Sequence, residues 1–436
     1  MAELRERFES WREARERARL EHALGLSSEL ELERIDDAFG DVTGGSALAG
    51  ARAEAEGARL GSERELRRRF AVGLAQAALA RALRPHDERI AARVSAGASA
   101  EQLDELRAER IAARSATLAG LGFANARAFA EALRPDAGVP GWAAEAERFL
   151  AESDRDWREA CAAPGAESTF AAELPAAHAR AALDFALEGM RLELSRAPGL
   201  RIDPEPRAGK LPAPFAGAPR IPGDVWLAFA PAAGSEVVAA LFAAAGEGLH
   251  LAHTSASLPV ERRCLGDPGL GPAFGACLRA LFADPVLGAT LTGADPAHFA
   301  AALRRQRLAA LRLAAARVLV ELRLAELAPA EVPNGFGELH AELGERAVGR
   351  PRPELAVLAE CGPALQSLDL LRGACLGAYL EGHLRARFGR EPWKSRGAGE
   401  LLRELFDTGT TYTPEALARE LSLPPLSASA LLDAER

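Results

Sequence analysis

Lysine is almost missing from this chain. Lys210 and Lys394 are the only two lysines among 53 basic residues, and alanine dominates the apolar set. We read both as the codon bias of a GC-rich genome rather than as an arginine-based function. Basic charge is not in excess either: 53 Lys and Arg against 62 Asp and Glu leave a formal net charge of -9. A nucleic-acid partner is therefore not expected, because gripping a phosphate backbone needs a basic face. The five cysteines, at 161, 264, 277, 361 and 375, form no CxxC pair, so buried thiols are expected rather than disulfides or a zinc knuckle. No apolar run reaches the ~18 residues of a membrane span. The opening MAELRERFESWREARERARL lacks the apolar centre of a signal peptide, and the expectation is a cytoplasmic protein without a membrane partner. GxSxG, a P-loop and a dinucleotide fingerprint are also missing, which removes the common serine-nucleophile and phosphate-cradle readings.

What is present is helix. With 436 residues, 48% of them hydrophobic and 26% charged, the chain is long enough for a large core and ordinary for a soluble globular protein. Helical periodicity covers Glu3 to Ala23, Ser62 to Leu83, Ala100 to Leu118, Ala126 to Leu133, Gly141 to Cys161 and Leu174 to Ser195. Breaks are expected at Gly44-Gly45, Arg84-Pro85, Pro135 to Pro140 and Pro164-Gly165. Leu200 to Pro222 is Pro-rich and reads as a loop serving a site or junction. Later helices are expected over Pro272 to Phe282, Ala297 to about Leu327, Asn334 to Glu345, Leu365 to Phe388, Gly397 to Phe406, Pro414 to Leu421 and Ser427 to Leu432. The arginines at 304, 305, 307, 312, 317 and 323 read as a solvated face.

The chain is organised around Arg207 to His253. One strand-like run, Asp224 to Phe229, is bounded by Pro and Gly. Ser235 to about Thr254 then has a helix start signal and apolar Val238, Leu241, Phe242, Leu249 and Leu251 spaced for a buried helix. Arg207, Gly209, Lys210 and Phe215 before the strand, and Ala245, Gly246, Leu249 and His250 in the helix, resemble the thimet oligopeptidase and oligoendopeptidase F family of zinc metallopeptidases, a gluzincin-like group. Its members show a segment close to RxGKxxxAF, a strand, the helix HEAGHALH and an acidic ligand on the next helix. ARFGREPWKSRGAGELLRELFDTG resembles the end of the same family more loosely. The likeness spans roughly Asp203 to Phe282 and, less closely, Asp369 to Gly409.

The resemblance implies a mostly α, zincin-like helical metallopeptidase fold with a deep cleft and a small β-sheet at the cleft edge. It implies a division at residues 1–199, a helical region, and 200–436, the metallopeptidase-like region, packed as one unit. It also implies zinc, but the ligand positions are changed. The first histidine falls on Ala243, the general-base glutamate on Ala244, the second histidine on Glu247, and the acidic ligand on Pro272, expected opposite Ala243. A zinc-bound water needs three protein ligands and a base. Catalytic residues, metal ligands and a cofactor are therefore expected to be lacking. Glu247, His250 and Lys210 remain as candidates for lining the cleft. Tyr379 and Tyr412 match no family oxyanion donor and read as structural. The leading expectation is a catalytically degenerate homologue that binds a peptide or protein partner, regulates or acts as scaffold. An active metallopeptidase, or another hydrolase with a displaced metal site, is the alternative.

Overall fold

The computed structural model describes residues 2–27, 31–58, 60–98, 100–162, 176–230, 235–292, 295–326, 336–349 and 365–433. Helices make up most of it, with a three-stranded sheet among the described residues. Contacts divide the chain into two compact units. One comprises Met1–Phe8, Asp36–Glu152 and Ala309–Leu371, the other Glu9–Ile35, Ser153–Leu308 and Arg372–Arg436. The units are therefore not the sequential halves 1–199 and 200–436, because the chain returns to each of them.

In the first unit the helices Gly45–Gly57, Gly61–Ser95 and Ala100–Gly120 pack in sequence. The break expected at Arg84-Pro85 does not occur: Gly61–Ser95 runs through Pro85. Packing outweighs the proline's missing donor, which costs ~3 kcal/mol in an isolated helix, since Leu83 and Ile90 on either side are buried. The expected helix Gly141 to Cys161 is two: Gly141–Glu152 belongs to this unit, and Asp154–Ala162, after the buried Ser153, to the second. Arg312 is not on a solvated face. It is buried, and it donates to Ala347 O at 2.6 Å, Leu150 O at 2.8 Å and Arg346 O at 3.0 Å. It thus satisfies carbonyls near the C-terminal ends of two helices, where backbone acceptors lack partners and a cation is favoured.

The second unit holds the stretch on which the resemblance rests. Its helices include α1 (Ala2–Ala23, from Glu9 onward) and α2 (Ala176–Gly189). Its strands are β1 (Leu200–Asp203), β2 (Phe215–Arg220) and β3 (Asp224–Ala228). Then come α3 (Ser235–His253), α4 (Leu270–Phe282), α5 (Gln366–Phe388, from Arg372), α6 (Arg396–Asp407) and α7 (Pro414–Glu420). The central strand is β3, parallel to β1 and antiparallel to β2. Its Val225, Leu227 and Ala228 are fully covered, as expected of a strand with neighbours on both sides. The loop expected over Leu200 to Pro222 thus contains two strands. They are short, and β2 reads FAGAPR, so pairing with β3 rather than intrinsic propensity makes them strands.

The C-terminal part of α1 lies along β2. Arg12 donates to Pro219 O at 2.9 Å, Arg17 to Asp224 at 2.8 Å, and Leu20 packs beside Gly217. On the other side α3 covers the sheet, with Gly248 beside Ala216 and Leu200. Val238, Leu241, Phe242, Ala245 and Leu249 of α3 enter a core shared with α2, α4 and α6.

Of the cysteines, Cys277 and Cys375 are buried, Cys264 is half-buried and Cys161 is exposed. The expectation of buried thiols fails for Cys161, which sits near the end of a helix with its side chain outward; Cys361 lies outside the described residues.

Candidate functional site

Glycine sets the spacing between α3 and α4. A Cβ on Gly246 would collide with the Phe274 carbonyl, and one on Gly275 would stand 2.9 Å from the Ala243 oxygen. The two backbones therefore touch directly. A third layer follows the same rule, since Gly373 and Gly377 of α5 admit Pro272 and Ala276 of α4. Small residues one turn apart give each helix a flat strip on which the next can lie.

On this interface Ala243 and Glu247 stand one turn apart on α3, both half-buried, with Ala244 buried between them. The Glu247 side chain lies over α4, 3.3 Å from the position a Gly275 Cβ would take and 3.9 Å from that of Gly271. The expected opposition of Ala243 and Pro272 is not what the structure places there. Ala243 meets Gly275, and Pro272 turns its Cβ toward Gly373 of α5, at 2.7 Å from where a Cβ on that glycine would lie. The rotation of α4 about its axis decides this, and the sequence register could not. Burial pushes the Glu247 carboxyl up to about 7, and no hydrogen bond or ion pair to it exists among the described residues.

His250 belongs to the core. It is 2% exposed, packs on Phe274 and Phe406 with ring centroids at 4.8 and 6.1 Å, and its Nε2 meets the Gly409 carbonyl at 3.1 Å. That bond places the proton on Nε2 and leaves Nδ1 a buried acceptor without a partner among the described residues. Burial drives its pKa down to about 4, against the Gly409 bond, so the ring is neutral. Lys210 is likewise structural. Its Nζ donates to Asp203 O at 2.9 Å, Glu205 O at 2.8 Å and Phe229 O at 2.9 Å, tying the ends of β1 and β3 together. Burial lowers its pKa, with Asp203 pulling the other way. Arg207 beside it donates to Leu24 O at 2.9 Å and pairs with Asp203. The RAGK segment is thus a clasp on the end of α1.

Sequence reasoning passed over a buried ion cluster that positions α4. Arg372 on α5 is completely covered and donates in two-pronged fashion to Asp267, at 3.0 and 2.8 Å, and to Glu415, at 2.8 and 2.6 Å. Asp267 also accepts from Gly269 N at 2.8 Å, just before α4 begins. Burial would lower the Arg372 pKa, but Asp267 and Glu415 outweigh it and hold the guanidinium charged. The three residues are too far apart in sequence to have suggested each other. Tyr379 donates to Pro425 O at 3.2 Å and Tyr412 packs on the core, both structural uses.

The donor set at this interface does not fit a zinc ion. Zinc takes thiolate, imidazole or carboxylate in a tetrahedron, and Ala243, Gly271, Pro272 and Gly275 offer none of these. Among the described residues no group of three or more His, Cys, Asp or Glu could hold a metal ion.

No protein-family model and no curated protein matches the chain. Solved structures do. Metallocarboxypeptidase 1 of Trypanosoma cruzi superimposes with a TM-score of 0.71 at 12% identity, covering 99% of this chain and 97% of that one. M32 carboxypeptidase of Deinococcus radiodurans R1 gives 0.69 at 14% identity over 99% and 97%. A putative oligoendopeptidase F from Bacillus anthracis str. Ames gives 0.54 at 12% identity over 96% and 80%. At such identities the likeness shows the fold alone, and that fold is the mostly α, zincin-like fold of metallopeptidases, with its small sheet.

Proposed function

We propose that this chain is a catalytically degenerate relative of the oligopeptidase-type zinc metallopeptidases, which holds a peptide or protein segment without cutting it. One observation carries the reading. Where α3 and α4 meet, the chain presents the methyls of Ala243 and Ala244, the single carboxyl of Glu247, and Gly271 and Gly275 from α4. Peptide hydrolysis on zinc needs a water whose pKa the metal lowers to ~7 and a base to take its proton. A methyl at 243 cannot ligate, and a methyl at 244 cannot accept a proton. Glu247 alone can hold neither metal nor geometry.

Glu247 still has a use in such a site. A half-buried carboxyl poised near neutrality ionises on meeting a cation, so it suits the amine or a basic side chain of a bound segment. The test is direct. The protein, purified without chelator, is analysed for zinc and incubated with unstructured peptides, and peptide binding is followed by fluorescence anisotropy. We expect zinc far below stoichiometry, no cleavage, and saturable binding of basic peptides that weakens in Glu247→Gln. Stoichiometric zinc together with cleavage would overturn the reading in favour of an active metallopeptidase, and a lack of any peptide binding would remove its second half.

A further inference from the structure

A cavity of about 330 Å³ in the second unit lies away from the α3–α4 interface, walled by Arg191, Glu193, Arg196, His253, Arg396 and Arg403. We propose that it binds a compact oxyanion carrying at least two charges, a sulfate-like ion or the phosphoryl group of a small molecule.

Charge is the first argument. Four arginines and one carboxylate line this space, with Arg191, Arg196 and Arg396 exposed at its rim and Arg403 half-buried. Arg191 and Arg196 share Glu193, at 4.0 and 3.5 Å, and Arg396 is engaged with Glu400 at 2.8 Å. Arg403 has no carboxylate partner among the described residues; its Nε donates to Gly399 O at 3.4 Å and the rest of its fork is unspent. Arginine forks match tetrahedral oxyanions in two-pronged geometry. The second argument is His253, the last residue of α3. Its ring stacks on Phe406 at 6.3 Å, half-buried, and neither ring nitrogen has a hydrogen-bond partner among the described residues. Burial lowers its pKa, Arg403 lowers it further, and Asp407 opposes them. Arg191, Glu193, Arg196 and Arg396 complete the charged groups around the cavity. An anion placed among them would favour the imidazolium and gain another donor.

The third argument comes from backbone strain. Arg191 has φ 58, and it occupies the left-handed position that closes α2: Arg191 N donates to Glu188 O at 3.0 Å and Leu192 N to Leu187 O at 3.0 Å. This is the helix-ending motif in which glycine is favoured, because a Cβ in the left-handed conformation crowds the following carbonyl oxygen. An arginine at that position is strained, and its side chain lines the cavity.

Titration with sodium sulfate at constant ionic strength, followed by calorimetry, tests the site, since sulfate keeps its charge across the working pH range. One saturable site is expected, unaffected by replacing the balancing salt with chloride. Arg191→Gly separates binding from folding: affinity should fall about tenfold or more while the melting temperature stays level or rises. Arg403→Ala should weaken binding similarly, and Arg155→Ala, an exposed arginine that does not line the cavity, should not. Affinity should increase as pH falls below neutrality, and that slope should vanish in His253→Gln. Comparing inorganic phosphate with ribose 5-phosphate then separates a free ion from a phosphoester. Non-saturable binding, equal competition by chloride, or full affinity in Arg191→Gly would overturn the proposal; none of these depends on the peptide-binding reading.

Discussion

Burial holds the Glu247 carboxyl at about 7, against 4.5 for a free glutamate. Between those values the folded chain keeps a proton that the unfolded chain has released, so this residue's contribution to stability falls as pH rises from about 4.5 to about 7. Glu247→Gln should therefore raise stability at pH 8, on the order of 1–3 kcal/mol, and change little at pH 4, a contrast that thermal melts at the two pH values would read. His250 acts in the opposite sense. Its folded value of about 4 lies below the usual 6.5, so its stabilising contribution is complete above about 6.5 and is lost as pH falls toward 4. The cluster at Arg372 makes a larger claim. Arg372→Met would leave the covered Asp267 and the half-buried Glu415 without a counter-ion, and a buried pair broken from one side typically costs about 3–5 kcal/mol. Denaturant unfolding checks this, and Asp267→Asn in the same chain should recover part of the loss.

Elements are told apart by where their glycines sit. Two glycines of α3, only two residues apart, should respond in opposite directions to alanine. Gly246 faces the Phe274 carbonyl, so Gly246→Ala must push α3 and α4 apart and should cost at least about 1–3 kcal/mol. Gly248 has its neighbours, Ala216 Cβ at 3.6 Å and Leu200 Cδ1 at 3.8 Å, at ordinary contact distance. Gly248→Ala should stabilise by up to about 1 kcal/mol, since alanine is the better helix former and restricts the unfolded chain. If both variants lose equally, the direct backbone contact between α3 and α4 is not as described. Much of α3 was legible in advance: the expected Ser235 to about Thr254 differs from Ser235–His253 by one residue, because start signal and periodicity are local. The strands β1 and β2 were not legible, because their residues have little intrinsic preference for a strand and are held by β3.

For the whole molecule the proposed loss of the metal has a thermodynamic test. A metal that binds only the folded chain stabilises it by RT ln(1 + [L]/Kd), about 2.7 kcal/mol at a hundredfold excess over Kd. Micromolar zinc should leave the melting temperature of this chain unchanged. Restoring a site is the sharper experiment: Ala243→His, Ala244→Glu and Glu247→His combined with an acid on α4. Since Gly271 faces Glu247 whereas Pro272 faces α5, the version with Gly271→Glu should bind zinc more tightly than the version with Pro272→Glu. Equal or reversed affinities, measured by competition with a chelating dye, would show that α4 is rotated from the position described.

The sequence by itself determined the helical class, the extent of α3, the strand leading into it, and the presence of alanine at 243 and 244, glutamate at 247 and proline at 272. These follow from local signals: periodicity, caps, and the chemical identity of single residues. Tertiary structure alone decided that Gly271 and Gly275, not Pro272, face the central helix, and that Lys210 is consumed by three carbonyls. It likewise decided that Arg312 and Arg372 are buried and that four arginines converge beside His253. Partners such as Asp267 and Glu415 lie 105 and 43 positions from Arg372. Their meeting depends on how helices rotate and stack, which is settled by glycine contacts between elements, and no periodicity along a single element records it.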